Sequence, residues 1–349
     1  MINNHQVRPE VSIIVPARNE EACLRECLDS LRSQRDVCFE ILVVDDGSTD
    51  RTRHIAESFS EVTVIAANPL PRGWSGKSNA CLTGAKRSRG KWLLFTDADT
   101  VHAPGALASA LQESHSFDVA MLSYSPGQEA VTLLEKLVMP VIFAELAKTY
   151  DMVAINDPTS PAAAANGQFI LIQSEDYWMV GGHASVAGEI VEDVALAKVV
   201  KAAGLGLRFR YEGEKVRTRM YRDFQQLREG WSKNLYTLFP STLRLAALRL
   251  AEFAAIVFSF AVCLNSLRQG VASWAAVAGI ALFMLYFNFL RRIKKAHFNA
   301  FCMAFSFLGL PIFSFLLTHS FIKHNVLRSV EWKGRSYVIL AIPFSAKTS

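Results

Sequence analysis

The sequence predicts an α/β domain, built on a mostly parallel sheet flanked by helices, followed by an interfacial amphipathic helix and C-terminal transmembrane helices. Three observations predict it. Short β-branched runs alternate with amphipathic stretches from Val11 to about Phe95, the pattern of a parallel sheet assembled from βα units. The mean hydropathy is positive, at +0.19, and the apolar excess lies mostly after Leu248. A length of 349 residues exceeds what one average domain needs. The expected divisions are an α/β domain over 1–220, an amphipathic helix over 221–248, a membrane region of about three apolar spans over 249–322 and a basic tail over 323–349.

Taken in order, the strands are expected at Val11 to Val15, Phe39 to Val44, Val62 to Ala66 and Lys91 to Phe95. Between the first two, Asn19 is expected to cap a helix with Glu20 and Glu21 in its first turn and Leu24, Cys27, Leu28 and Leu31 on its inner face. A helix from Pro104 to about Glu113 and a strand near Val119 to Ser123 come next. Val131 to Val153 is a long apolar stretch interrupted by Pro140; a kinked core helix and a helix dipping into the membrane surface fit it equally. Asn166 to Gln173 reads as a return strand, and Gly188 to Lys201 as a helix that opens with acidic residues.

Tyr221 to Leu248 opposes Phe224, Leu227, Trp231, Leu235 and Leu238 to Arg222, Arg228, Glu229 and Lys233, as a helix in a headgroup layer does. Three apolar spans follow, at about Leu250 to Leu267, Val271 to Leu290 and Phe298 to Ile322. Glu252 makes the first marginal, whereas the second contains no Asp, Glu, Lys or Arg. The Arg291, Arg292, Lys294, Lys295 cluster places the end of the second span on the cytoplasmic side, with the α/β domain. Three full crossings would set Lys323, Arg328, Lys333 and Arg335 outside, against the same rule; a third span that bends back at Gly309 to Pro311 would not, and both arrangements stay open.

Composition narrows the function classes. Met1 to Glu10 holds no apolar run of the secretory kind, so the α/β domain is expected in the cytoplasm. The six cysteines form no CxxC pair and read as structural. A net charge of +5 comes without a basic tract interleaved with aromatics ahead of Pro240, so no nucleic-acid partner is expected; the basic clusters flank apolar spans instead.

The chemistry-bearing residues collect at predicted strand ends. Asp45-Asp46-Gly47-Ser48 follows the second strand, at the edge where open α/β sheets bind ligands, although alone it reads as readily as an Asx turn with Ser48 capping a helix. Asp97-Ala98-Asp99 follows the fourth strand and brings two hard oxygen donors to the same edge, suited to Mg²⁺ or Mn²⁺ on a diphosphate. Glu192-Asp193 opens a helix after the turn Gly181-Gly182-His183; it suits either the helix dipole or a general base for an acceptor hydroxyl. His183 reads as a turn or packing residue. Lys77, in Gly73-Trp74-Ser75-Gly76-Lys77-Ser78, fails the GxxxxGK[ST] spacing, which argues against a nucleoside-triphosphate hydrolase, but it can still meet a diphosphate.

Together, Val11 to Glu20 (VSIIVPARNE), Val43 to Asp50 (VVDDGSTD), Asp97-Ala98-Asp99 and Glu192-Asp193 resemble, in order and spacing, the family 2 glycosyltransferases, whose catalytic domain has the GT-A fold. The resemblance covers roughly residues 10 to 240. It implies that Ala17, Glu20 and Asp46 contact the base and ribose of a nucleotide sugar, with Asp45 and Asp97 also in the donor site. Lys77 would approach the diphosphate, Asp99 with Asp97 would hold Mg²⁺ or Mn²⁺, and Asp193 would be the base. Glu192, Gln168 and Trp231 would lie on the acceptor side. The QxxRW motif of membrane members is incomplete: Gln225-Gln226-Leu227-Arg228 keeps the spacing, but Glu229 and Gly230 separate Arg228 from Trp231, which argues against a processive synthase.

Pro71 to Ser78, Asn166-Gly167-Gln168-Phe169, Glu192 to Ala197 and Glu331 to Tyr337 resemble a narrower branch that includes carotenoid (diaponeurosporenoate) and hopanoid-associated glycosyltransferases. The implied activity is metal-dependent, inverting transfer of a sugar, expected to be glucose from UDP-glucose, to a membrane lipid or isoprenoid acceptor. The implied location is the cell membrane, multi-pass, with the catalytic domain cytoplasmic. A polyprenyl-phosphate sugar transferase and a non-catalytic nucleotide-sugar-binding membrane scaffold remain as alternatives.

Overall fold

The computed structural model describes residues 8–338. The expectations for the first residues of the chain and for the tail beyond residue 338 therefore lie largely outside the described residues. The chain forms two compact units, one running to Glu129 and resuming over Tyr150–Met220, the other formed by Ala130–Thr149 and the residues from Tyr221 onward.

In the first unit, β1 (Val11–Ala17), α1 (Leu24–Arg32), β2 (Phe39–Asp45), α2 (Thr52–Glu57), β3 (Val62–Ala66), α3 (Gly76–Ala85) and β4 (Trp92–Phe95) succeed one another as βα units, matching the predicted strands within two residues. Next come β5 (Thr100–His102), α4 (Ala106–Ser116), β6 (Met121–Ser125) and β7 (Gly127–Gln128). The chain then leaves for α5 (Leu133–Thr149) in the other unit. It returns as α6 (Met152–Asn156), β8 (Ile170–Gln173), α7 (Ser174–Met179), α8 (Glu192–Ala202), β9 (Leu207–Tyr211) and β10 (Val216–Thr218).

The main sheet has seven strands in the order β3-β2-β1-β4-β8-β6-β9, parallel except for the two pairings of β8 with β4 and β6. A smaller sheet runs β5-β10-β7. Alternation along β1 sends Ile13 and Val15 to one face, with Leu24, Leu28 and Leu31 of α1, and Ile14 to the other, with Ala80 and Cys81 of α3. The order reverses between β1 and β4, so their carboxyl ends open the crevice where such sheets take ligands.

One local expectation is overturned. Asn19 does not cap α1: its φ is +53° and the helix starts only at Leu24, behind Cys23. The inner face of α1 is as expected, with Leu24, Cys27, Leu28 and Leu31 buried.

The second unit contains α5, α9 (Phe224–Leu238), α10 (Thr242–Arg268), α11 (Ala272–Ile293), α12 (Ala300–Phe305), α13 (Leu310–Ile322) and a hairpin of β11 (Ser329–Trp332) and β12 (Arg335–Val338). The expected Val131 to Val153 stretch thus divides: α5 joins the apolar helices, and the chain beyond Thr149 returns to the first unit. The sequence of α5, LLEKLVMPVIFAELAKT, lacks a single polar face, so it is stable only where other helices cover it. The amphipathic helix is shorter than expected. Asp223 caps α9, accepting from the Gln226 N–H at 2.8 Å, and Pro240 separates α9 from α10, which claims 242–248.

Three segments, Thr242–Arg268, Ala272–Ala296 and Ala300–Leu327, are long and apolar enough to cross a membrane. The third is not sharply reversed at Gly309 to Pro311. It tightens to a 3₁₀ turn over Ser306–Gly309, and Gly309 (φ −79°) and Leu310 (φ −58°) keep right-handed helical dihedrals. A Cβ on Gly309 would stand 2.1 Å from the carbonyl oxygen of Leu137, so glycine here allows backbone contact with α5.

Two charges met in the apolar region pair with each other. The Arg292 guanidinium grips Glu252 with two parallel bonds, of 2.9 and 2.8 Å, and lies 3.1 Å from Glu145; Arg249 lies 3.2 Å from Glu145 and also pairs with Glu252. Arg292 therefore belongs to a buried ring and is not one of the exposed topology charges its sequence neighbours suggested. Glu252, the flaw in the first span, is the ring's acceptor on α10.

Candidate active site

The carboxyl ends of β1 and β2 deliver the first group of candidate residues. Asp45 closes β2 and Asp46 follows, both under a tenth exposed, and the Asp46 N–H donates to the Ala17 carbonyl at 2.9 Å. The Asp45 carboxylate accepts from the Ser48 N–H at 3.0 Å, so it closes the turn after β2. Two loops are then stitched together. The Arg18 guanidinium donates to the Asp46 carbonyl at 2.5 Å and the Gly47 carbonyl at 3.1 Å. Asn19 gives its N–H to Ser48 Oγ at 3.1 Å and accepts the Thr49 N–H at 2.9 Å. The Glu20 N–H meets Thr52 Oγ1 at 2.7 Å, and the Glu20 carboxylate accepts from Cys23 Sγ at 3.3 Å. Ala17, Glu20, Asp45 and Asp46 thus stand on one rigid rim; the left-handed Asn19 backbone turns the loop so that its side chain crosses to the neighbouring loop.

The second group meets across four segments. Asp97 leaves β4; Lys77 stands in the first turn of α3, whose start is capped by Ser75 Oγ accepting from the Ser78 N–H at 3.0 Å. The Lys77 ammonium lies 2.7 Å from Asp97 Oδ1 and 3.0 Å from Glu192 Oε1. Asp193 is held at both oxygens, Oδ2 accepting from the Gly167 N–H and Oδ1 from its neighbour Val194, each at 2.8 Å. A Cβ on Gly167 would stand 2.6 Å from Lys77 Nζ and 3.4 Å from Asp193 Oδ2, so the bare backbone is what lets these groups converge.

The electrostatics follow from this crowding. Burial and the adjacent Glu192 push Asp193 up to about 6, while Lys77 and the two N–H donors pull the other way. Burial disfavours the charged form of Lys77, but Asp97, Glu192 and Asp193 outweigh it and hold the ammonium well above the ordinary lysine range. Burial, with Asp193 nearby, lifts the Tyr150 phenol to about 12. Burial also keeps His183 neutral, down at about 4; its Nδ1 is 3.0 Å from Tyr177 Oη and its ring packs on Phe95, the packing role expected.

Asp99 follows Asp97 on the same strand end, and its carbonyl accepts from Thr218 Oγ1 at 3.1 Å. Gln168 is 3% exposed; its amide donates to that same Thr218 at 3.2 Å and its carbonyl accepts from Thr96 Oγ1 at 2.8 Å. Gln168 therefore braces the Asp99 strand end from behind. Trp231 belongs to the second unit, on α9, where it is 2% exposed between Phe143 and Tyr221; its place there is in packing. Among the described residues no three His, Cys, Asp or Glu side chains are grouped to hold a metal by themselves. Two carboxylates, Asp97 and Asp99, fit a hard dication that draws its remaining oxygens from a diphosphate and water. No sequence pattern marks Tyr150, and Gly167 stands out only as part of Asn166-Gly167-Gln168-Phe169.

Residues 12–140 match the family model described as "Glycosyl transferase family 2". The chain is 29% identical over 347 residues to the 4,4'-diaponeurosporenoate glycosyltransferase of Staphylococcus aureus, covering 96% of this chain and 89% of that protein. Among solved structures, the mannosyltransferase PcManGT from Pyrobaculum calidifontis, in complex with GDP-Man and Mn²⁺, is similar with a TM-score of 0.52 and 18% identity, over 93% of this chain and 89% of that one. At that identity the likeness establishes the fold, a mostly parallel GT-A sheet with flanking helices.

Proposed function

We propose that this chain, which is similar to family 2 glycosyltransferases, carries out metal-dependent, inverting transfer of a hexosyl group from a nucleotide sugar to a membrane lipid or isoprenoid acceptor, with UDP-glucose the donor to test first. The observation that carries the reading is the convergence of Asp97, Lys77, Glu192 and a doubly clamped Asp193 around Gly167, beside the strand ends that carry Asp45, Asp46 and Asp99. The name of the Staphylococcus aureus relative supports a carotenoid-type acceptor. The three long apolar helices, with Phe258 and Phe283 largely exposed, support placing it at a membrane.

The chain's own residues divide the work. The rim of Ala17, Glu20 and Asp46 receives the nucleoside, held in shape by Arg18 and Asn19. Asp97 and Asp99 would hold Mg²⁺ or Mn²⁺, which when bound offsets the charge gathering on the departing diphosphate. The clamp on Asp193 fixes its rotamer and leaves the outer lone pairs to take the acceptor's proton. As that proton moves, the acceptor oxygen bonds to the anomeric carbon. The bond from that carbon to the diphosphate oxygen breaks, and the nucleoside diphosphate leaves with the electron pair. A single displacement inverts the centre. If the acceptor is a carboxylate there is no proton to take, and Asp193 would orient it instead.

The test is release of nucleoside diphosphate from a panel of nucleotide sugars in native membranes with metal, comparing wild type with Asp99→Ala and Asp193→Asn. Turnover of one donor, lost in both variants, is expected. Donor binding without turnover in any lipid extract would favour a scaffold, and turnover only with a polyprenyl phosphate would move the acceptor class.

A further inference from the structure

A cation already sits on the metal-side carboxylate, and it is part of the chain. Lys77 Nζ is 2.7 Å from Asp97 Oδ1 and 3.0 Å from Glu192 Oε1, in a seat that any side chain at Gly167 would fill, since a Cβ there would come within 2.6 Å of the ammonium. Glu192, 6% exposed, keeps the ammonium within reach of the site. A dication on Asp97 would stand within a few ångströms of that ammonium, and their mutual repulsion weakens the hold of each on the shared carboxylate. The lysine stem is flexible, starts in the first turn of α3, and can swing its charge from a carboxylate to a phosphate oxygen.

We propose that Lys77 is the resident counter-cation of the metal site. It holds Asp97 while the site is without nucleotide, and it yields Asp97 to the divalent cation only when a diphosphate draws the ammonium away. Metal and diphosphate then bind as a coupled pair, and the cluster of Asp97, Glu192 and Asp193 is never left without positive charge between turnovers. This rests on the donor-site reading above. It goes beyond that reading by assigning Lys77 a second position and by making metal affinity depend on it.

The test reads metal binding without catalysis. Mn²⁺ binding to the full-length protein in detergent, followed through the free-ion paramagnetic resonance signal, is measured with and without UDP for wild type, Lys77→Met, Lys77→Gln and Lys77→Arg. Without nucleotide, Met and Gln are expected to bind Mn²⁺ at least about tenfold more tightly than wild type, a contact-charge effect, whereas Arg stays close to wild type. By reciprocity, the factor by which UDP tightens Mn²⁺ binding should be smaller in the Met and Gln variants than in wild type. Equal or weaker Mn²⁺ binding in Met and Gln, with Asp97→Asn still abolishing it in wild type, overturns the counter-cation role and leaves the metal site standing. No Mn²⁺ binding to any form, with or without UDP or other nucleoside diphosphates, overturns both. If Met fails to fold, Gln and the wild-type dependence on UDP decide the matter: Mn²⁺ binding that UDP does not strengthen contradicts the proposal.

Discussion

Replacing Arg292 by methionine should destabilise the second unit far more than an ordinary helix substitution. Arg292 makes three contacts within the buried ring, two to Glu252 at 2.9 and 2.8 Å and one to Glu145 at 3.1 Å, with its side chain 17% exposed. At an effective dielectric near 20, each unit-charge pair at about 4 Å contributes about 4 kcal/mol. Removing the arginine forfeits two such pairs but also spares its own desolvation. It leaves Glu145 and Glu252 sharing Arg249 alone, and breaking a buried pair in this way costs about 3–5 kcal/mol. For a chain of this size, that lowers the midpoint of thermal unfolding in detergent by roughly 10 °C. The double variant Arg292→Met/Glu252→Gln restores a one-to-one match between Glu145 and Arg249 and should recover more than half of the loss. A single variant within about 1 kcal/mol of wild type, or a double variant no better than the single one, would show that the ring carries no net stability.

Three further outcomes follow from the geometry. Asp193 must be ionised to take a proton and its carboxyl is lifted to about 6, so the initial rate on a hydroxyl acceptor should fall tenfold per pH unit below that value and level off above it; Glu192→Gln removes the neighbouring negative charge and should move the break to lower pH, and an upward shift in the pH–rate profile would contradict the assigned cause. Gly167→Ala pushes a Cβ to 2.6 Å from Lys77 Nζ and 3.4 Å from Asp193 Oδ2; turnover should drop at least about a hundredfold with little change in unfolding midpoint, because the misplacement is local to the reacting groups. Gly309→Ala sets a Cβ 2.1 Å from the Leu137 carbonyl oxygen, a backbone atom that cannot rotate away, and should cost about 1–3 kcal/mol in thermal unfolding.

Much of the first unit could be read from the sequence because its signals are local. The period-2 burial of β1 and the spacing of Leu24, Cys27, Leu28 and Leu31 each state a face without reference to the rest of the chain. Asn19 was misread for the same reason: an Asn ahead of two glutamates has the local look of a helix cap, but its partner is Thr49 in another loop, and no local pattern records that. Glu252 and Arg292 misled in the same way. Singly, one reads as a flaw in an apolar span and the other as a topology charge; only the fold shows that they neutralise each other. At the site, the carboxylates were visible as strand-end residues, whereas the clamp on Asp193 depends on a glycine 26 positions away.

The two buried charge clusters differ in a way that separates a candidate site from a strut. In the second unit two arginines meet two glutamates, each arginine touching both, so the charges balance within the ring. In the first unit one ammonium faces Asp97, Glu192 and Asp193, with Asp99 on the adjoining strand end. Burial, with the Glu192 charge beside it, lifts Asp193 to about 6. On the proposed donor-site reading the surplus of negative charge would draw a divalent cation, and the diphosphate arriving with it would bring the surplus back toward neutrality. A closed ring gains nothing by binding an ion, whereas an acid-rich cluster with a single mobile cation is stabilised by one, so the imbalance itself is the feature to look for when structural and catalytic ion pairs must be told apart.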